Sequence, residues 1–118
     1  MSPIKIKRIY EQPGSSDGYR ILVDRLWPRG VKKEKADIDL WLKDVAPSNG
    51  LRHWFNHEPE KWPEFQERYA QELKNKEEQV QTIITKAKSQ TVTLLYGAKD
   101  EQHNNALALL ELIKSIKK

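Results

Sequence analysis

The segment Asp24-Arg25-Leu26-Trp27-Pro28-Arg29-Gly30 sets two arginines and an acid beside a proline-glycine break. Arginine's planar fork grips carboxylate or phosphate oxygens in pairs, so two such groups on one loop suit an anion. Two further segments carry comparable chemistry. Ala46-Pro47-Ser48 leads into a stretch holding Arg52, and Tyr96-Gly97-Ala98-Lys99-Asp100 precedes His103. Brought together, Arg25, Arg29 and Lys99 would hold an anion, with Ser48 and Arg52 at a helix start whose free N–H groups favour negative charge. Asp24 and Asp100 could orient the arginines, or act as acid or base if crowding shifts their pKa values; His103 titrates near neutral pH. A structural account fits the same residues: Arg25 paired with Asp24 or Asp100, Trp27 a core anchor, Pro28 to Gly30 only a turn.

Which elements would position these groups follows from local pattern. Ile4 and Ile6 alternate with Lys5 and Lys7, which predicts a strand with one wet face over Ile4 to Tyr10. The turn cluster Pro13-Gly14-Ser15-Ser16-Asp17-Gly18 separates it from Arg20 to Leu26, whose Ile21-Leu22-Val23 block reads as an interior strand. A third strand is expected over Asp39 to Val45, and Ser48 is a candidate N-cap for a short helix through Leu51, Trp54 and Phe55. Pro59 suits the first turn of a longer helix, on which Trp62, Phe65, Tyr69 and Leu73 form one stripe. Val80, Ile83, Ile84 and Ala87 repeat that periodicity, Thr91 to Tyr96 reads as the last strand, and a closing helix is expected from about Asp100. In that helix Ala106, Leu107, Leu110 and Ile113 would face inward, and Lys114, Lys117 and Lys118 would complement the dipole. The order predicts one α/β domain over residues 1–118, with a small, mostly parallel sheet of about four strands covered by helices. Ligands of such sheets bind outside the carboxyl ends of the strands, where all three polar segments fall.

Composition narrows the classes of function. The 118 residues carry 21 Lys+Arg against 17 Asp+Glu, a formal charge of +4, and 37% are hydrophobic. A chain of this length buries roughly two thirds of its unfolded surface, enough for one core. Its lack of cysteine excludes disulfides, thiolate metal sites and cysteine nucleophiles, and fits a cytoplasmic protein. No apolar run approaches the roughly 18 residues of a membrane span, and no signal peptide is visible.

Other motifs are weak or missing. His53 and His57 are spaced for one helix face, yet no Glu follows His53 and Asn56 to Pro59 reads as a helix end, so neither a metal nor a cofactor is expected. The glycines form neither a dinucleotide fingerprint nor a P-loop, and no serine sits in a nucleophile elbow. The aromatic stripe is read as core rather than as a base-stacking platform. Lys5, Lys7, Arg8, Arg20, Arg25, Arg29, Lys32, Lys33 and Lys35 crowd the first third, while glutamates dominate the middle helices. That polarity leaves nucleic acid or an acidic protein as an alternative partner to a small anionic molecule, although no nucleic-acid motif accompanies it.

The order of these motifs resembles the YeaO-like group within the domain-of-unknown-function family numbered 488. The resemblance rests on Val23 to Gly30, Trp41-Leu42-Lys43 with Ala46-Pro47-Ser48, Leu51-Arg52 with Trp54-Phe55 and His57, Phe65 with Arg68-Tyr69, and Leu94-Leu95-Tyr96 with Ala98-Lys99-Asp100 and His103-Asn104. It spans nearly the whole chain and implies a small bacterial α/β protein, without implying a reaction. Gly97 and His53 depart from it, standing where alanine and a basic residue are expected. The leading expectation is a protein that binds a small anionic, including phosphorylated, molecule through Arg25, Arg29, Ser48, Arg52 and Lys99. Asp24, Asp100 and His103 would position or exchange protons, with catalysis left open.

Overall fold

The computed structural model describes residues 2–116. Among them are four strands, β1 (Ile4–Arg8), β2 (Tyr19–Leu22), β3 (Leu40–Trp41) and β4 (Val92–Tyr96). Five α-helices accompany them: α1 (Lys33–Ala36), α2 (Asn49–Phe55), α3 (Trp62–Leu73), α4 (Glu77–Ala87) and α5 (Asn105–Ile116). The strands form one sheet in the order β1-β4-β2-β3, every neighbouring pair parallel. The expected α/β class is therefore met, and the last strand in sequence is inserted between the first two.

Register explains the burial of each face. Ile4 pairs with Val92 and Ile6 with Leu94, while Ile21 pairs with both Leu94 and Leu40. Because side chains alternate along a strand, these residues share one face, and they enter a core with Phe65, Tyr69, Ile83, Leu109 and Ile113 from the long helices. Each fully buried Leu or Ile there contributes about 2 kcal/mol. The expected stripe of α3 is core as read: Phe65, Tyr69 and Leu73 are buried and Trp62 packs against them.

The opposite face is closed mainly by loops and the single turn of α1. Leu22 and Leu95 lie there with Ile9, beneath Trp27, Val31, Ile38 and Trp41. Helices thus do not cover both faces equally. Lys5 and Lys7 share this second face but are tied down, Lys5 donating to the Ser16 carbonyl at 2.8 Å and Lys7 pairing with Asp17 at 3.1 Å. Arg20 is buried here as well. It donates to the Asp17 carboxylate at 2.5 Å and to the carbonyls of Ala36 and Asp37 at 2.9 and 2.8 Å. Every arm of its guanidinium that the fold removes from water is thereby met, which is the condition for burying a charge.

Several elements are shorter than their sequence patterns predict. β1 stops at Arg8, where the chain turns and the Arg8 N–H donates to the Glu11 carboxylate at 2.9 Å. β2 ends at Leu22, although Val23 still donates its N–H to Leu95 at 3.1 Å. β3 holds only Leu40 and Trp41, since Leu42 (φ −100°, ψ 62°) leaves the extended region and Lys43–Val45 form a 3₁₀ turn. The closing helix starts at Asn105 rather than near Asp100. Asp100 instead closes a turn by accepting the N–H groups of Gln102 and His103 at 2.9 and 3.1 Å, and the Asn104 side chain then caps α5 by accepting from Leu107 at 2.8 Å. Ala106, Leu110 and Ile113 face inward as expected, while Leu107 is half-buried. Lys114 lies in the last turn, and Lys117 and Lys118 fall outside the described residues.

Candidate functional site

The carboxyl ends of β1, β2 and β4 open onto one cleft of about 560 Å³. That size falls within the range of small-molecule sites. Asp24, Arg25 and Arg29 line it from the loop after β2, Arg52 from α2, and His103 from the turn before α5. Chain segments far apart in sequence are thus gathered at one rim, as strand-end topology predicts.

Two tryptophans fix the loop that carries Arg25 and Arg29. The Trp41 indole donates to the Asp24 carbonyl at 2.8 Å, and the Trp27 indole donates to Val31 at 2.7 Å; their rings meet edge to face at 5.4 Å. Trp27 is therefore a core anchor, as the structural account holds. Pro28 to Val31 is also a turn, closed by the Val31 N–H on the Pro28 carbonyl at 3.4 Å with Gly30 at φ 78°. Anchor and turn are compatible with a binding loop, because they hold the arginines without using their charge.

Arg25 reaches across the rim to the carbonyls of Pro47 and Ala46, at 3.3 and 3.1 Å, and Arg52 holds the Asn49 side chain at 3.0 Å. Among the described residues none of Arg25, Arg29 and Arg52 forms an ion pair. The expected pairing of Arg25 with Asp24 or Asp100 does not occur. Three guanidinium groups face a cleft that contains a single carboxylate, Asp24.

Asp24 is occupied structurally. One oxygen accepts the Gly97 N–H at 2.8 Å and the other accepts the Asn105 amide at 3.2 Å, while that same amide donates to the Val23 carbonyl at 3.0 Å. This latch joins the ends of β2 and β4 to the first residue of α5. Burial pushes the Asp24 carboxyl above the usual carboxylate range, partly offset by those two hydrogen bonds and the field of Arg52. Gly97 fits the latch closely, since a Cβ there would sit 3.1 Å from the Asp24 carboxylate.

Asp100 does not line the cleft; it holds His103, whose Nδ1 lies 2.9 Å from the carboxylate. Backbone and imidazole hydrogen bonds hold the Asp100 carboxyl below its ordinary range. The His103 ring also meets Trp62 edge to face at 5.4 Å. With Nδ1 engaged, Nε2 is the nitrogen left for a ligand, accepting when the ring is neutral and donating when it is charged.

Two expected ligand residues lie elsewhere. Lys99 is exposed and does not line the cleft. Ser48 does cap α2, accepting from Leu51 at 3.1 Å, but its hydroxyl and N–H both donate to Glu72 of α3, at 2.6 and 2.8 Å. The protein's own carboxylate takes the place at the helix start that an external anion was expected to fill. His53 and His57 both line the cleft. His57 follows the helix end, with Asn56 and His57 both at positive φ. Tyr10, Leu26 and Asn105 also contribute to the cleft without a sequence signal for it; only the tertiary insertion of β4 beside β1 brings Tyr10 to the others.

A family model described as DUF488-N3i, an inactive DUF488-N3 subclade, matches residues 3–117. The chain belongs to the YeaO-like DUF488 family. It is 44% identical over 113 residues to the uncharacterized protein YeaO of Escherichia coli (strain K12), covering 96% of this chain and 98% of that protein. It is also 47% identical over 70 residues to the uncharacterized proteins Mb3100c of Mycobacterium bovis and Rv3073c of Mycobacterium tuberculosis, covering 59% of each chain. No solved structure matches. Among the described residues, no helix is long and apolar enough to cross a membrane.

Proposed function

We propose that this YeaO-like protein binds a small anionic molecule in the strand-end cleft, as a binding module rather than an enzyme. The observation that carries the reading is the approach of Arg25, Arg29 and Arg52 to one concave surface without an ion-pair partner among the described residues. Guanidinium groups left in that state attract carboxylate or phosphate. A binding role is favoured because both Asp24 oxygens are held by Gly97 and Asn105, and because the matching family model is described as inactive. The alternative of a basic face for nucleic acid draws less support: Lys7 and Arg20, two of the cations of the first third, are paired with Asp17.

Thermal melting with inorganic phosphate tests the reading, with potassium chloride at matched ionic strength as reference. At about one hundred times its dissociation constant, phosphate adds about 2.7 kcal/mol to the wild type. Arg29→Ala should lose that gain, and Lys99→Ala should keep it. Equal stabilisation of wild type and Arg29→Ala overturns the role of Arg29, and no gain in any protein overturns the site.

A further inference from the structure

Beside the arginines, the cleft carries a second feature that an inorganic anion would not use. Three large hydrophobic side chains are exposed among the described residues, and two of them, Tyr10 at 49% and Leu26 at 65%, line this cleft. Apolar surface left in water at a concave polar site marks a place where a ligand covers it.

Tyr10 is held as a platform. The Arg8 guanidinium lies over its ring, 5.2 Å from the centroid, and its hydroxyl donates to the Arg29 carbonyl at 3.0 Å. Arg8 is fixed in turn by the carbonyl of Ala98 at 2.8 Å. The ring is therefore tied to the same loop that presents Arg29, so a group resting on Tyr10 and an anion held by Arg29 are placed at one mouth. A rigid aromatic surface loses little entropy when a planar partner stacks on it.

We propose that the cleft takes a phosphate monoester of a planar aromatic or heteroaromatic group, its ring on Tyr10 and Leu26 and its phosphate among Arg25, Arg29 and Arg52. This rests on the anion-site reading above and adds the ring. A monoester fits better than a diester because its terminal oxygens carry close to two charges and leave several acceptors for three guanidiniums. His103 Nε2 supplies a further contact on the same cleft. Such a ring reaches the site either on a nucleoside monophosphate or on an aryl phosphate, which share this recognition.

Titration monitored by intrinsic tryptophan fluorescence, with Trp27 in the cleft wall as reporter, separates these terms. The probes are inorganic phosphate, ribose 5-phosphate, phenyl phosphate and adenosine 5′-monophosphate. At least one ring-bearing probe should bind about tenfold more tightly than the two without a ring. Leu26→Ser, at an exposed position outside the arginine contacts, should reduce that advantage while leaving the affinity for inorganic phosphate within about twofold; Tyr10→Ala should remove most of it and, because the Tyr10 hydroxyl holds the Arg29 loop, weaken phosphate as well. Phenyl phosphate favoured over the nucleotide identifies the aryl source; the reverse identifies the nucleoside source. Equal affinity for all four probes overturns the ring subsite and leaves the anion site standing, whereas no binding by any probe overturns both.

Discussion

Glu72 and Ser48 form a closed pair at the start of α2: the Ser48 N–H and hydroxyl both donate to the Glu72 carboxylate, at 2.8 and 2.6 Å. A helix beginning with free N–H groups attracts negative charge, and here α3 supplies it from within the chain. The anion chemistry of the cleft falls accordingly to arginine side chains rather than to this helix.

Glu72→Ala and Ser48→Ala should each cost about 1–2 kcal/mol in urea unfolding. Because each change removes the other's partner, the double variant should lose less than the two losses together, by at least about 0.5 kcal/mol. Strict additivity would show that the pair is not coupled.

On the loop-covered face, Asp17 is 4% exposed and Arg20 2%. Burial alone would raise the Asp17 carboxyl, but hydrogen bonds from the Gly14 N–H, Lys7 and Arg20 outweigh it and hold the group below its ordinary range. Asp17→Asn leaves Arg20 buried without its counter-charge and should cost about 3 kcal/mol or more near neutral pH. The wild type carries this stabilisation above the ordinary carboxylate range and loses it as pH falls through the depressed value, so the gap between the proteins should narrow in acid. A gap that is small, or that widens in acid, would contradict the pairing.

Asp24 has the opposite sign. Its folded-state pKa is raised by burial, so within the window between its ordinary and raised values the folded chain holds a proton that the unfolded chain releases. Stability from this group falls as pH rises through that window. Asp24→Asn does not titrate, so the stability of the variant relative to wild type should increase from about pH 3 to about pH 7. A difference that stays flat, or moves the other way, would refute the raised value.

The sequence makes those local features legible whose signals are themselves local. The Ser48 cap, the α3 stripe and the Thr91–Tyr96 strand, observed as Val92–Tyr96, are each written within a few residues. Asp24, Arg25 and Arg29 are legible as polar residues at a strand end and Arg52 beside a helix start, and they do meet in the cleft with His103. What pattern alone does not show is which partner consumes a group. Glu72 lies 24 positions from Ser48, and Gly97 lies 73 from Asp24, so neither bond has a sequence signature. The late start of α5 is likewise unmarked by periodicity: Asp100 accepts two N–H groups in a separate turn, and Asn104 caps the helix four residues later.

Two glycines show how differently backbone positions constrain the fold. A Cβ at Gly18 would lie 2.2 Å from the Thr91 carbonyl oxygen, on backbone at φ 66°, so Gly18→Ala should cost about 3 kcal/mol. At Gly50, within α2, a Cβ would meet nothing within 4 Å, and Gly50→Ala should add about 0.5–1 kcal/mol. Denaturant midpoints of the two variants should move in opposite directions; equal shifts would contradict the close approach at Gly18.

The most direct measurement is a phosphate titration of protein carrying ¹⁵N-arginine, followed through the arginine Nε–H signals. The cleft reading predicts that the signals of Arg25, Arg29 and Arg52 move together and saturate at one midpoint, while Arg68, paired with Glu64 on the surface of α3, stays in place. Unsaturable drift of all arginines alike, or no movement of these three, would contradict it.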